Sequence, residues 1–171
     1  MIAPPPSDCW LHSAIEVRSS PIEGKGLFAR VAVPAGTVVS RLGGRLVSGA
    51  ELERLIAEPG APYVDSIVVS ETEHLVLPPR RPNGYGNHSC DPSLWWTGPY
   101  ELAARRDIAA GEEVTNDYAT STGEPGFRMA CCCGSALCRG TVTGDDWRRP
   151  ELRSRYGDHW VPVLLDRIAR S

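Results

Sequence analysis

Four of the six cysteines in this 171-residue chain, Cys131, Cys132, Cys133 and Cys138, fall within eight residues. Thiols so close in sequence cannot staple distant segments into a disulfide framework. A Cys-x-Cys-x4-Cys spacing instead gathers three thiolates in one tight knuckle. That suits tetrahedral Zn2+, whose structural sites take four nitrogen or sulfur ligands. The fourth ligand must come from elsewhere. Cys90, in Asn87-His88-Ser89-Cys90, is the first candidate, with Cys132 and Cys9 behind it. No vacant ligand position is implied, so the metal is expected to be structural. Clustered thiolates go with a reducing compartment, and the first residues, MIAPPPSDCW, lack a basic stretch followed by an apolar run. A cytoplasmic protein is therefore expected.

Seventeen glycines and fifteen prolines make turns frequent, which favours a mostly β fold with short helices. At 42% hydrophobic the chain can bury one domain-sized core, and no apolar run approaches the roughly 20 residues of a membrane span. The first dozen residues read as a loose lead-in. Strands are expected at 14–18, 27–33, 37–41, 63–69, 74–77, 94–96, 101–104 and 114–116. One helix is expected at 51–58, with Leu52, Leu55 and Ile56 on one face and Pro59-Gly60 ending it. Val161, Leu164, Leu165 and Ile168 set out a closing helix. The net charge is −3, and the 18 cations are Lys25 and 17 arginines, a balance that argues against a nucleic-acid coat and accommodates a basic partner.

Three further segments carry chemistry. In Glu23-Gly24-Lys25-Gly26-Leu27-Phe28-Ala29 two glycines allow a sharp turn and a close ligand approach, though such a turn also simply joins two strands. With no third glycine opening a helix, it is not a dinucleotide fingerprint. The others are Asn83-Gly84-Tyr85-Gly86-Asn87-His88-Ser89-Cys90-Asp91-Pro92 and Gly111-Glu112-Glu113-Val114-Thr115-Asn116-Asp117-Tyr118, whose Asn, Asp and Gly residues each suit loop work on their own.

Taken in order, GKGLFA, NHSCDP, GEEVTNDY and CCCGSALCRG resemble the SET-domain protein lysine methyltransferases over about residues 15–140. The resemblance implies small curved β-sheets with two segments crossing as in a pseudoknot, S-adenosylmethionine as methyl donor, and one zinc on Cys90, Cys131, Cys133 and Cys138. It implies a SET domain at 14–120 and a post-SET zinc knuckle at 127–143; the apolar spacing beyond them gives a helical extension at 144–171, expected to pack on the same domain. By position, Lys25, Gly26 and Leu27 line the cofactor through backbone groups. Tyr85 joins them, and Asn87 and His88 hold the cofactor by side-chain and main-chain hydrogen bonds. Tyr118 stands at the catalytic tyrosine, with Asp117 bracing its turn.

Three positions depart from the family pattern. Asn116 replaces the usual aromatic that helps set product multiplicity, Ser93 replaces an asparagine, and Gly84 stands where arginine is common. No Cys-rich region precedes the domain, as in a minimal, bacterial-like version. The partner implied is a basic protein substrate, without direct nucleic-acid or membrane contact. The competing reading is an inactive SET-like module that binds a peptide or S-adenosylmethionine. The tail aromatics, Trp147 to Trp160, are expected to anchor the closing helix, and one of Trp95 and Trp96 to point inward.

Overall fold

The structure, a computed structural model, describes residues 2–171. In chain order its elements are β1 (Trp10–Leu11), β2 (Ile15–Ser19), β3 (Lys25–Ala29), β4 (Val38–Arg41), β5 (Arg45–Ser48), α1 (Gly49–Ala57), β6 (Ser66–Val68) and β7 (Glu73–Val76). There follow β8 (Leu94–Trp96), β9 (Glu101–Ala104), β10 (Glu113–Val114), β11 (Arg128–Ala130), β12 (Thr141–Thr143), α2 (Pro150–Tyr156) and α3 (Pro162–Ala169). The strands form four small antiparallel sheets, ordered β1-β4-β9-β8, β10-β3-β2, β5-β7-β6 and β11-β12. This is the mostly β architecture that the turn density implied. Among the described residues no helix is long and apolar enough to cross a membrane.

The sheets share one core, in which Trp96, Leu75, Ile108 and Val39 are fully buried. Trp147, Leu152, Tyr156, Trp160 and Leu164 from the last 28 residues join the same cluster. Trp96 points inward at 1% exposure, while Trp95 lies flat on His159, ring centroids 3.4 Å apart.

Several elements differ from the sequence expectation, each for a physical reason. The 27–33 strand ends at Ala29, and Val33 instead bridges Ile108. Only Ser66–Val68 of 63–69 pairs, leaving Tyr63 85% exposed just after Pro62. In α1, Ser48 Oγ accepts the Glu51 amide at 3.2 Å as an N-cap, but only Leu52 of the apolar face is buried and Ile56 stays exposed. The lead-in is not loose: β1 pairs with β4, Arg81 grips the Asp8 carboxylate with two hydrogen bonds of 2.7 Å, and Tyr100 Oη donates to the Ala3 carbonyl at 3.0 Å. The segment before the cysteines is a strand, β11, and α2 begins on Pro150, which suits a first turn.

The 114–116 strand stops at Val114, because Asn116 pairs in parallel with His88. The Asn116 amide donates to the Asn87 carbonyl at 3.2 Å, and the Ser89 amide to the Asn116 carbonyl at 3.1 Å. Buried Ser93 pins the junction by accepting the Thr115 amide at 3.1 Å, a use for its hydroxyl that the family comparison did not suggest. Two segments far apart in sequence thus cross side by side. That crossing is what brings Cys90 and Tyr118 into one region.

Candidate functional site

The β11–β12 hairpin presents its connecting loop to the 87–90 segment. The Sγ atoms of Cys90, Cys131, Cys133 and Cys138 all lie within 4.8 Å of one another, with Cys90 and Cys131 3.7 Å apart. Four sulfurs at about 2.3 Å from zinc sit about 3.8 Å apart along a tetrahedron's edges. Amides approach the sulfurs as well, Arg139 N to Cys90 Sγ at 3.3 Å and Gly140 N to Cys138 Sγ at 3.5 Å, which suits thiolates rather than thiols. Burial pushes the Cys90 thiol up, a cost that a divalent cation offsets. The donor set fits one structural zinc. Cys132 is exposed and outside the group, and Cys9 exchanges hydrogen bonds with the Gly43 main chain instead.

Tyr118 is fixed from behind. Its amide donates to His88 Nδ1 at 3.1 Å and its phenol to the Gly86 carbonyl at 2.8 Å. Because Nδ1 accepts, the imidazole proton sits on Nε2, 3.3 Å from Cys90 Sγ. Burial, with Arg139 nearby and against the pull of Asp117, lowers the His88 pKa to about 4, so the ring is neutral. Asp117, wholly buried, receives two 2.7 Å hydrogen bonds from Arg139 and one of 2.8 Å from Tyr156 Oη, while accepting the Ala119 amide at 3.0 Å. Arg139 also reaches Asp146 at 3.2 Å, and Thr143 donates to Asp146 at 2.9 Å. The network ties the knuckle, α2 and the Tyr118 turn together. Sequence reasoning missed Arg139 and Tyr156, and the only signal was an arginine directly after the last knuckle cysteine.

Two spaces meet at the Tyr118 ring. The larger, about 210 Å³, is lined by Asp65, Trp96, Asn116 and Phe127 among others. The smaller, about 30 Å³, lies among Ile22, Glu23, Asn87 and His88. Tyr118 and Met129 line both. No arginine or lysine lines either space, although the chain has 18, and each has one carboxylate at its edge, Asp65 or Glu23. Burial raises the Tyr118 phenol well above its usual range, so it stays protonated.

The residues expected at the cofactor are spread unevenly. Asn87 Nδ2 donates to the Glu23 carbonyl (3.2 Å), the Lys25 carbonyl (3.0 Å) and Glu113 Oε1 (2.9 Å), so its amide braces the 23–26 turn. Gly26 is small for a related reason: a Cβ there would lie 2.1 Å from Glu113 Oε1 and 3.1 Å from Asn87 Nδ2. The Leu27 side chain is in the core, the His88 imidazole is engaged by the Tyr118 amide and Cys90, and the Lys25 ammonium rests 5.5 Å over the half-exposed Tyr85 ring. The smaller space encloses room for about one water. Its carboxylate, main-chain polar groups and apolar Ile22 and Met129 would fit the reacting, cationic end of S-adenosylmethionine.

The chain is similar to known proteins. A family model described as SET domain matches residues 24–119. The chain is 28% identical over 144 residues to histone-lysine N-methyltransferase ash1 of Drosophila melanogaster, covering 74% of this chain and 6% of that protein. It is 32% identical over 157 residues to a histone-lysine N-methyltransferase, H3 lysine-4 specific, of Cryptococcus neoformans, covering 78% and 10%. The chain thus spans about a tenth or less of the length of these relatives. The crystal structure of the methyltransferase domain of human histone-lysine N-methyltransferase SETMAR superposes with a TM-score of 0.58 at 23% identity, over 77% of this chain and 57% of that one, a likeness of fold.

Proposed function

The chain belongs to the SET-domain family, and on that premise we propose that it moves a methyl group from S-adenosylmethionine to the ε-amine of lysine in a basic protein substrate. One observation supports this above all others: two spaces free of arginine and lysine, each edged by a carboxylate, meet at the ring of a protonated tyrosine. One suits a sulfonium and the other an amine.

When bound, S-adenosylmethionine supplies an electrophilic methyl group on a positively charged sulfur. The protein's part is alignment, because in-line displacement gains most from holding the reacting atoms in register. Tyr118 donates its proton to the Gly86 carbonyl, which leaves the phenol oxygen as an acceptor that orients the amine. Free lysine is protonated, with a pKa of about 10.4, and must lose its proton to attack. Trp96, Phe127 and Met129 give the larger space apolar walls that lower that pKa by desolvation. Tyr118, held protonated, is not the base, so the proton departs to water. Asn116 lines the same space and limits the room for an amine that already carries methyl groups. Cys90, Cys131, Cys133 and Cys138 would hold a structural zinc that fixes the knuckle, and with it Met129, beside the tyrosine.

The inactive-module reading is disfavoured because Tyr118 and both spaces are present. Incubating the protein with labelled S-adenosylmethionine and a proteome lysate, then mapping the label by mass spectrometry, tests the proposal. Label on lysine ε-amines supports it, and label on no lysine contradicts it.

A further inference from the structure

Helix α3 lies beyond the 24–119 match, yet it is joined to two opposed parts of the wall around the larger space. One part follows Tyr118 and contributes Ser121, Thr122 and Phe127; the other contributes Ser66 and Ile67 of β6. Strand pairing does not join them, since β6 is the edge strand of its sheet and pairs with β7. Helix α3 splints the first part. The Val161 amide at its start donates to the Thr120 carbonyl at 3.0 Å, and Arg167 Nη1 donates to the Gly123 carbonyl at 2.8 Å. Gly123 is held so close that a Cβ there would lie 2.5 Å from Arg167 Nη1 and 2.8 Å from Leu164 Cδ2.

The same guanidinium reaches the second part. Its Nε and Nη2 donate to the two Glu71 oxygens at 3.0 and 2.6 Å, a two-pronged grip on the turn between β6 and β7. That turn is firm, because Ser70 Oγ accepts the Glu73 amide at 3.1 Å, so its position carries over to β6. The bonds from Arg167 hold the Glu71 carboxyl below its usual range, and the pair stays charged. One side chain therefore spans both parts without lining the space itself. Glu71 is half-exposed, so the pair adds little to folding. Its effect is geometric.

We propose that Arg167 is a positioning residue for methyl transfer: by clasping Glu71 and the Gly123 carbonyl at once, it holds the larger space at the width that admits a lysine side chain, and so sets the affinity for the protein substrate. Tyr118 is fixed independently, through His88 and Gly86, so the alignment at the methyl group survives loss of the clasp. What changes is the fraction of free protein whose walls are already set, and apparent affinity falls with that fraction. This inference rests on the methyl-transfer reading of the same space.

The test compares the wild type with Arg167→Gln, Arg167→Lys and Glu71→Ala, the last on an exposed turn where folding is not at stake. The substrate is the peptide that the wild type labels fastest in a library of one-lysine peptides, and S-adenosylmethionine affinity is measured by calorimetry. In Arg167→Gln and Glu71→Ala the peptide KM should rise about tenfold, as when a tenth of the free molecules keep the walls set. Both kcat and cofactor affinity should stay within about twofold, the pattern of lost uniform binding. Arg167→Lys, which keeps the charge but has no fork, should fall between. Hydrogen exchange at residues 66–68 and 121–127, which needs no substrate, should quicken in Arg167→Gln. An unchanged KM in both variants, or a fall in kcat or cofactor affinity matching the rise in KM, overturns the inference. If the wild type methylates no peptide, the methyl-transfer reading falls, and exchange alone decides the clasp: quickened exchange upholds it and unchanged exchange overturns it.

Discussion

Behind Tyr118, toward the knuckle and α2, Asp117, Arg139, Asp146 and Tyr156 are buried and bonded to one another. In front of it, toward residues 63–67, the Asp65 carboxylate has no partner among the described residues. The indole N–H groups of Trp96 and Trp160, both deep in the core, also lack partners among the described residues. A satisfied buried network is rigid and holds one arrangement, whereas groups left unmatched around a cavity are completed by what enters it. The rear thus positions the tyrosine and the front receives the substrate. Breaking the rear should destabilise the protein, and neutralising the front should not.

The largest effect is expected at the knuckle. Purified protein should contain one zinc per chain; Cys133→Ser should lose it, while Cys132→Ser should keep it, because Cys132 is outside the sulfur group. Metal binding to such sites contributes on the order of 10 kcal/mol to folding, so the Cys133→Ser knuckle should also open to proteolysis. Metal analysis checks the first point and limited digestion the second.

Next is Arg139→Met. It leaves Asp117 and Asp146 buried without their cation, and removing one partner of a buried pair typically costs about 3–5 kcal/mol. Urea denaturation should show a loss of that order. A loss below about 1 kcal/mol would mean that the rear is not held as described.

The smallest effect has the opposite sign. Asp65→Asn removes an unmatched carboxylate, so it should raise stability at pH 7 by no more than about 0.5 kcal/mol, because half of the group faces water. A carboxyl whose folded pKa is raised costs stability above its ordinary value of about 3.9, and the cost vanishes below that, where both states are protonated. The gain should therefore fade as pH falls through the carboxylate range. A stability loss at pH 7 would show that Asp65 has a partner within the fold.

The trio Cys131, Cys133 and Cys138 and the motifs themselves were legible in the sequence because they depend on local spacing, whereas Cys90, 41 residues before Cys131, was one of three candidates until the resemblance singled it out. Val161, Leu164 and Ile168 likewise marked α3 by their period alone. The rear network was not legible. Asp117 and Arg139 are 22 residues apart, Asp117 and Tyr156 39 apart, and charge pairing leaves no periodic trace. Asn87 and Gly26 were assigned to the cofactor through the resemblance, and nothing in the sequence showed that both also pack against Glu113. Asp65 carried no signal, since only the fold shows that no cation among the described residues pairs with it. The pairing of β1 with β4 was hidden because a two-residue strand after three prolines shows no alternation.

The account turns on Tyr118 as the point where both regions act. Tyr118→Phe keeps the ring between the two spaces and removes only the oxygen bonded to Gly86. Single-turnover methyl transfer from labelled S-adenosylmethionine to a lysine peptide, with cofactor affinity measured in parallel by calorimetry, reads its role directly. The expected result is transfer slower by about 10²-fold or more with affinity nearly unchanged, the scale of losing a positioned polar group. Transfer at the wild-type rate would contradict the account.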